Sequence, residues 1–259
     1  MTAHTATVRT ATAHTATILP SPPGADAYLA VDKQPGVAVH GRGGLLGALR
    51  ERFGAELALV HRLDKETSGV LLLARNVDAL RAAHAAWRTN VVKTYLAVTR
   101  GVPHPPEGRV DAPLLEHRTS RPHLLRRAVK AAYGSSRAGH LLSGRRVLAI
   151  QPLPPSGRTA VHPAGRPAAT RYRVLEDRGA TALVELVPET GRMHQLRIHL
   201  LHLGTPLLGD PAYDPGREGG DPPPLLHAAR LAWTDPPGMP RGTRWAWEAP
   251  PPPPAVPGP

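Results

Sequence analysis

Apolar and polar positions along the chain alternate with the period of a strand more often than with that of a helix. Ala27–Val31 and Val37–His40 read as short strands joined by a turn at Lys33-Gln34-Pro35-Gly36, where proline and glycine suit a tight reversal. Val70–Ala74 is a continuous apolar run bounded by Gly69 and Arg75-Asn76, the pattern of a buried strand. Asp78–Thr89 carries Leu80, Ala83, His84 and Trp87 at helical spacing, with Asn76 or Asp78 as the cap. Thr94–Thr99 and Arg171–Leu175 alternate as strands, and Ala182–Val187 is a further strand. Met193–Leu203 reads as an amphipathic helix closed by Gly204. Leu225–Trp233 fits either state, and 117–165 has no placeable pattern beyond a weak helical stretch over Leu124–Tyr133. Strands and helices do not alternate regularly enough for a doubly wound sheet, so the pattern predicts an α+β fold with a mixed or antiparallel sheet.

The two ends break this pattern. Residues 2–17 are a Thr/Ala low-complexity segment without apolar periodicity or the apolar centre of a secretory signal, and Pro20, Pro22, Pro23 and Gly24 follow it. Residues 1–25 are therefore expected to be a disordered tail, 26–249 the folded unit, and 250–259 a proline-rich tail that cannot pack. No apolar run approaches the roughly 18 residues of a membrane span, so no membrane partner is expected. The absence of cysteine excludes disulfides, thiol nucleophiles and Cys-ligated metal centres. It fits a reducing compartment, and the cytoplasm is the expected location.

Charge changes the picture more. Lys and Arg number 32 against 20 Asp and Glu, a net charge of +12, which points to a polyanionic partner, nucleic acid first. From Glu116 to Glu176 no acidic residue intervenes, while Arg118, Arg121, Arg126, Arg127, Lys130, Arg137, Arg145, Arg146, Arg158, Arg166, Arg171 and Arg173 fall in that window. That stretch reads equally as an RNA-binding arm or as a solvated arginine-rich loop.

Common catalytic signatures are missing. There is no phosphate loop and no nucleophile elbow, and the Gly41, Gly43, Gly44, Gly47 cluster lacks dinucleotide-binding spacing and suits a turn. His194, His199 and His202 share one predicted helix, but without cysteine or an HExxH pattern a core or RNA-facing histidine is the simpler reading than zinc. Polar residues concentrate instead in Val60-His61-Arg62-Leu63-Asp64-Lys65-Glu66-Thr67-Ser68-Gly69, a strand running into a polar turn that displays Asp64 at a sheet edge with Arg62 beside it. Thr190 to His199 follows a strand with Gly191 and opens a helix rich in donors: Arg192, His194, Gln195, Arg197 and His199. Helix N-termini and arginine forks suit phosphate and carboxylate. In Lys93-Thr94-Tyr95 the lysine and tyrosine share one face of a strand. Each piece alone is equally ordinary surface polarity.

Together, the pieces resemble the RluA-type pseudouridine synthases in order and spacing. The matching residues are His61-Arg62-Leu63-Asp64 with Thr67-Ser68-Gly69, Lys93-x-Tyr95, Gly191-Arg192-x-His194-Gln195-x-Arg197-x-His199, Gly204-x-Pro206, and Gly209-Asp210 with Tyr213. Leu226-His227-Ala228 and the opening Asp32-Lys33…Gly36 fit further positions, over roughly residues 26–249. The resemblance implies a mixed, largely antiparallel sheet with flanking helices and a central catalytic cleft. It implies Asp64 as the catalytic carboxylate, Tyr95 beside the target base and a candidate proton acceptor, and Arg197 as the partner of Asp64. Arg62 would contact the flipped nucleotide or the space it leaves. Arg192, His194, Gln195 and Lys93, with Arg126, Arg127, Arg145 and Arg146 of the basic segment, are the expected RNA-binding residues. The expected activity is isomerisation of uridine to pseudouridine in ribosomal or transfer RNA by a monomer with no metal or organic cofactor. The alternative is a catalytically silent RNA-binding or RNA-folding module on the same scaffold, against which intact Asp64, Tyr95 and Arg197 count. Three departures stand out: Met193 where a hydroxyl is common, proline one place late in the opening turn, and a long basic insertion at 117–165. With about 25 low-complexity residues before the core, no N-terminal S4 RNA-binding domain is expected.

Overall fold

The computed structural model describes residues 7–9, 15–41, 43–116, 159–163 and 165–251. The expected helix at Leu124–Tyr133 and the cations Arg126, Arg127, Arg145 and Arg146 lie outside the described residues.

In chain order the elements are β1 (Thr7–Arg9), β2 (Thr15–Ile18), β3 (Tyr28–Lys33), α1 (Leu45–Phe53), β4 (Ala58–Leu59), β5 (Ser68–Ala74), α2 (Val77–Ala86) and β6 (Val91–Arg100). Then follow β7 (Glu107–Asp111), β8 (Leu114–Glu116), β9 (Thr159–Val161), β10 (Ala169–Asp177), β11 (Thr181–Pro188), α3 (Gln195–His202), β12 (Leu226–Thr234) and β13 (Arg244–Glu248). One sheet runs β1-β2-β3-β5-β12-β6-β11-β10-β7, with β13 on β12 and β4 on β5, while β8 and β9 form a separate pair. Among the described residues β5 and β12 are the one parallel pair, and the other pairings are antiparallel. The fold is α+β with a mixed, mostly antiparallel sheet, as the pattern predicts.

All seven residues of β5 are buried, because the sheet is covered on both faces. Leu71 and Leu73 join the core that includes Leu45 and Leu49 of α1. Val70, Leu72 and Ala74 join the core on the other face, with Ala79 and Ala83 of α2 and with Trp233, Trp245 and Trp247. Trp233 and Trp247 are fully buried, and side chains of that size dominate core energetics at about 3 kcal/mol or more when truncated. Asn76 caps α2 by accepting the Ala79 N–H at 2.8 Å, and the helix ends at Ala86, three residues before the expected Thr89.

Three expectations change. Val37–His40 is not a strand: the Ala38 and Val39 carbonyls accept the N–H groups of Leu45 and Leu46, so this segment supplies the partners that the first turn of α1 lacks. Helix α1 itself went unpredicted, because Gly44 and Gly47 at its start read as turn residues. Residues 15–25 are not a disordered tail: β2 pairs with β3, and Ala16, Leu19 and Ala25 are buried. Short alternation in Thr15–Ile18 suffices once β3 offers an edge.

Candidate functional site

Asp64 stands in the connection between β4 and β5, and several contacts fix that connection. The Val60 N–H donates to the Leu72 carbonyl, and His61 Nε2 accepts the Leu72 N–H at 3.1 Å. The His61 ring stacks on Trp87 at 5.0 Å. The Thr67 N–H closes a turn onto the Asp64 carbonyl. Beneath it, the fully buried Lys33 ammonium donates to the carbonyls of Gln34, Val37 and Lys65 at 3.0, 3.0 and 2.9 Å. Burial pushes the Lys33 pKa down to about 8, against the charges of Glu66, Asp64 and Asp32.

At the far end of the connection, Gly69 has φ +102°, and a Cβ there would lie 2.3 Å from the Ala228 carbonyl oxygen. Only glycine lets β5 and β12 approach this closely. Gly69 pairs with Ala228, and Ala228 pairs with Tyr95. One row across three strands therefore puts Gly69, where the Asp64 connection enters β5, within about 10 Å of Tyr95. Tyr95 is buried, and burial, followed by the charge of Asp64, pushes its phenol far above the ordinary value.

Arg197 comes from α3. Gln195 pins that helix to the sheet: its Nε2 donates to the Ala169 carbonyl and Thr170 Oγ1 at 2.9 and 3.0 Å, and its Oε1 accepts from Thr190 Oγ1 and the Arg192 N–H. Arg197 Nε and Nη2 hold the two oxygens of Asp210 at 2.6 and 2.7 Å, and Nη1 lies 3.6 Å from Asp64 Oδ2. Burial opposes the Arg197 charge, but the Asp210 hydrogen bonds and the charges of Asp210 and Asp64 outweigh it and raise the pKa. The Tyr213 ring lies 4.9 Å from the guanidinium carbon. His194 Nε2 is 3.9 Å from Asp64 Oδ2. Asp64, Glu66, Thr67, Arg197, Leu207, Pro224 and Leu226 line a small cleft. Asp64 is one-third exposed there, Arg197 one-tenth and Asp210 not at all. A carboxylate is thus held beside a fixed cation at the edge of an apolar wall.

The structure brings together Asp64, Tyr95, Arg197 and His194. Gln195 does not join them as an RNA contact: it is buried, its amide nitrogen is engaged by β10 and its amide oxygen by Thr190 and Arg192 in the segment between β11 and α3. Lys93 sits over Trp87 at 5.2 Å, and burial lowers its pKa. Arg62 is exposed next to the site. Arg192 donates from Nε to the Pro167 carbonyl at 3.0 Å. Burial lowers its pKa first, and repulsion from Arg166 and Arg88 adds to that. Two of the three histidines expected on this helix turn to different partners: His199 is bonded at Nδ1 to Thr170 and at Nε2 to Ala112, and His194 at Nδ1 to Tyr213. No group of His, Asp and Glu suited to a metal exists among the described residues. Sequence reasoning assigned no role to Asp210, Lys33 or Arg88. A carboxylate shortly after the donor-rich helix was the available signal for Asp210.

A family model described as RNA pseudouridylate synthase matches residues 27–202. The chain belongs to the RNA pseudouridylate synthase family. Among the curated members of this family, a mitochondrial pseudouridylate synthase RPUSD4 of Xenopus tropicalis is 38% identical over 209 residues, covering 75% of this chain and 60% of the relative. The ribosomal large subunit pseudouridine synthase C of Yersinia pestis is 35% identical over 198 residues, covering 73% and 51%. The chain thus spans little more than half the length of these relatives. The structure of human RNA pseudouridylate synthase domain containing 4 superimposes with a TM-score of 0.61 at 27% identity, covering 87% of this chain and 85% of that one. As a family member the chain carries the RluA-type motif order described above, with Asp64, Tyr95 and Arg197 all present.

Proposed function

We propose that the protein is an RNA pseudouridine synthase that isomerises uridines in ribosomal or transfer RNA, with Asp64 as the catalytic carboxylate. The observation that carries this reading is the fixed pair of Asp64 and Arg197 inside a cleft whose chain belongs to this family. Ribosomal RNA is the first candidate, because the Yersinia pestis relative is named for the large ribosomal subunit.

Isomerisation breaks the N1–C1′ bond of uridine, turns the uracil and joins C5 to C1′; a proton leaves C5, N1 carries one at the end, and no atom is gained or lost. Asp64 must be ionised to add to C6, to attack C1′ or to take a proton from the sugar. A guanidinium anchored by Asp210 stands beside that carboxylate throughout, which is the role of a preorganised charge. The target base must leave its stack to reach the cleft, where Leu207, Pro224 and Leu226 supply the apolar wall. Because burial and Asp64 both disfavour a phenolate at Tyr95, we assign Tyr95 contact with the uracil as a neutral phenol, and the C5 proton leaves through water. The reading includes a monomer acting in the cytoplasm and no cofactor.

The charge pattern supports an RNA partner. Arginines on the open sheet surface are neutralised: Arg109 by Asp111 and Glu189, Arg171 by Glu189, Arg173 by Glu185, Arg178 by Glu176 and Arg230 by Glu248. Arg62, Arg88, Arg166 and Arg192 have no ion pair among the described residues. Arg192 lies close enough to Arg88 and Arg166 to feel their charges, with Glu116 acting the other way, and such a gathering of cations from separate segments suits phosphates. Mapping pseudouridines in total cellular RNA with and without the gene tests the reading. At least one uridine should lose its modification in the deletion and regain it with the wild-type gene but not with Asp64→Asn. An unchanged map across all RNA classes would overturn it.

A further inference from the structure

Two donors approach Asp64, and both address the same oxygen. Arg197 Nη1 is 3.6 Å from Oδ2 and His194 Nε2 is 3.9 Å from it. The sequence expectation for His194 was RNA contact, but its surroundings tie it to the protein. It caps the N-terminus of α3 in the left-handed region, φ 55°, a conformation a non-glycine residue keeps only when neighbours enforce it. Its Nδ1 lies 2.7 Å from the Tyr213 hydroxyl. That hydroxyl oxygen also accepts the Thr159 N–H at 3.0 Å. A neutral His194 that takes the Tyr213 proton at Nδ1 carries its own proton on Nε2, the nitrogen facing Asp64. Burial lowers the His194 pKa, favouring the neutral ring, while Asp64 pulls the other way; Arg197, Asp210 and Glu116 are the other charges facing it.

Tyr213 also backs the second donor. Its ring face carries the Arg197 guanidinium, and its edge meets the His194 ring at 5.5 Å between centroids. Its N–H donates to Asp210 Oδ1 at 3.2 Å, the same oxygen that Arg197 Nη2 holds. One aromatic residue therefore sets the orientation of both groups that address Oδ2.

We propose that Tyr213 and His194 form a second positioning arm for Asp64, which with Arg197 restrains Oδ2 and leaves Oδ1 as the reacting oxygen. The proposal rests on the isomerase reading above. Separations of 3.6 and 3.9 Å are longer than direct hydrogen bonds. The arm closes, or a water bridges it, when the uracil fills the cleft. His194 acts through Asp64 and is a positioning residue, as is Tyr213.

The test compares Tyr213→Phe, which keeps the ring under Arg197 and removes only the hydroxyl, with His194→Phe and His194→Gln. Single-turnover rate at saturating RNA and RNA affinity are measured separately, each rate as a function of pH. Tyr213→Phe and His194→Phe should each slow the single turnover about tenfold, the size expected for one hydrogen bond to a charged group, with affinity within about twofold of wild type. The acid limb of the rate profile should move to higher pH, because the carboxylate no longer has that donor, and His194→Gln, which keeps an N–H, should recover part of the rate. Should Tyr213→Phe fail to fold, the His194 pair and its pH profiles decide alone. An unchanged rate with an unmoved acid limb overturns the arm, and a loss confined to affinity makes His194 an RNA contact instead. A wild-type protein that forms no pseudouridine on any RNA overturns the isomerase reading, and the arm with it; an active wild type with unaltered variants overturns only the arm.

Discussion

Arg197 grips Asp210 with two hydrogen bonds, at 2.6 and 2.7 Å, and turns its remaining nitrogen toward Asp64. The Asp210 side chain is fully buried, so this pair is a fixed mount whose free corner is the functional one. Asp210→Asn leaves a buried guanidinium without its counter-charge, a change that costs about 3 kcal/mol. Urea unfolding should show that loss, and the single-turnover rate should fall further than RNA affinity. Arg197→Lys should retain only part of the rate of wild type, since an ammonium lacks the planar fork that reaches two carboxylates at once. A wild-type rate in Asp210→Asn would mean that Asp210 does not orient Arg197.

His61 makes the fold acid-sensitive in a defined window. Burial, followed by the Lys93 charge, pushes its pKa down to about 3, while in the unfolded chain it titrates near 6.5. Between those values the unfolded chain binds a proton that the folded one refuses, so stability falls as pH drops below about 6.5, by at most about 1.4 kcal/mol per pH unit. Denaturant titrations at pH 7, 6 and 5 should show wild type losing more stability than His61→Gln. Equal losses would contradict the burial of this ring.

Lys33 works in the opposite range. Its folded pKa of about 8 lies below that of a free lysine, so between about 8 and 10.5 the unfolded chain binds more protons and stability from this group rises with pH. Below about 8 the cost of burying the ammonium is present in full, offset by its three carbonyl partners. The stability difference between wild type and Lys33→Met should therefore grow in favour of wild type from pH 7.5 to 10. A constant difference would show that Lys33 does not titrate in the fold.

Much of this architecture is legible in the order of the residues. β5 can be read from five apolar residues in a row, and the segment around Asp64 from its density of polar residues beside that strand. Its neighbours are harder. Gln195 and Lys93 look like RNA-facing donors on a strip of sequence, yet the partners that claim them are Ala169 and Thr170 for one and Trp87 for the other. Only the tertiary pairing brings those atoms near. Val37 and Val39 alternate as a strand does, but their segment meets a helix terminus instead of a strand edge, and α1 is hidden by its own glycines. Asp210 is recognisable by position, and its function only by the two bonds to Arg197.

The cations gathered around Arg192 separate RNA steering from incidental charge. Replacing Arg88, Arg166 and Arg192 with alanine should weaken RNA binding and flatten its salt dependence. The slope should change by up to about 0.7 in log K per log salt for each single-strand phosphate that is no longer neutralised. The same series on Arg126, Arg127, Arg145 and Arg146 tests the basic segment. Removing cations that touch no phosphate would leave the slope unchanged.

Tritium release from RNA labelled at C5 of uridine reports the central event, departure of the C5 proton. Wild-type protein incubated with the RNA whose modification disappears in the gene deletion should release tritium and leave pseudouridine at that site. Asp64→Asn, which keeps the shape of the side chain and removes its charge, should release none above background while binding the RNA as tightly as wild type. Release by Asp64→Asn at a rate near wild type would contradict the account, because the other carboxylate on Arg197, that of Asp210, is fully buried and engaged at both oxygens.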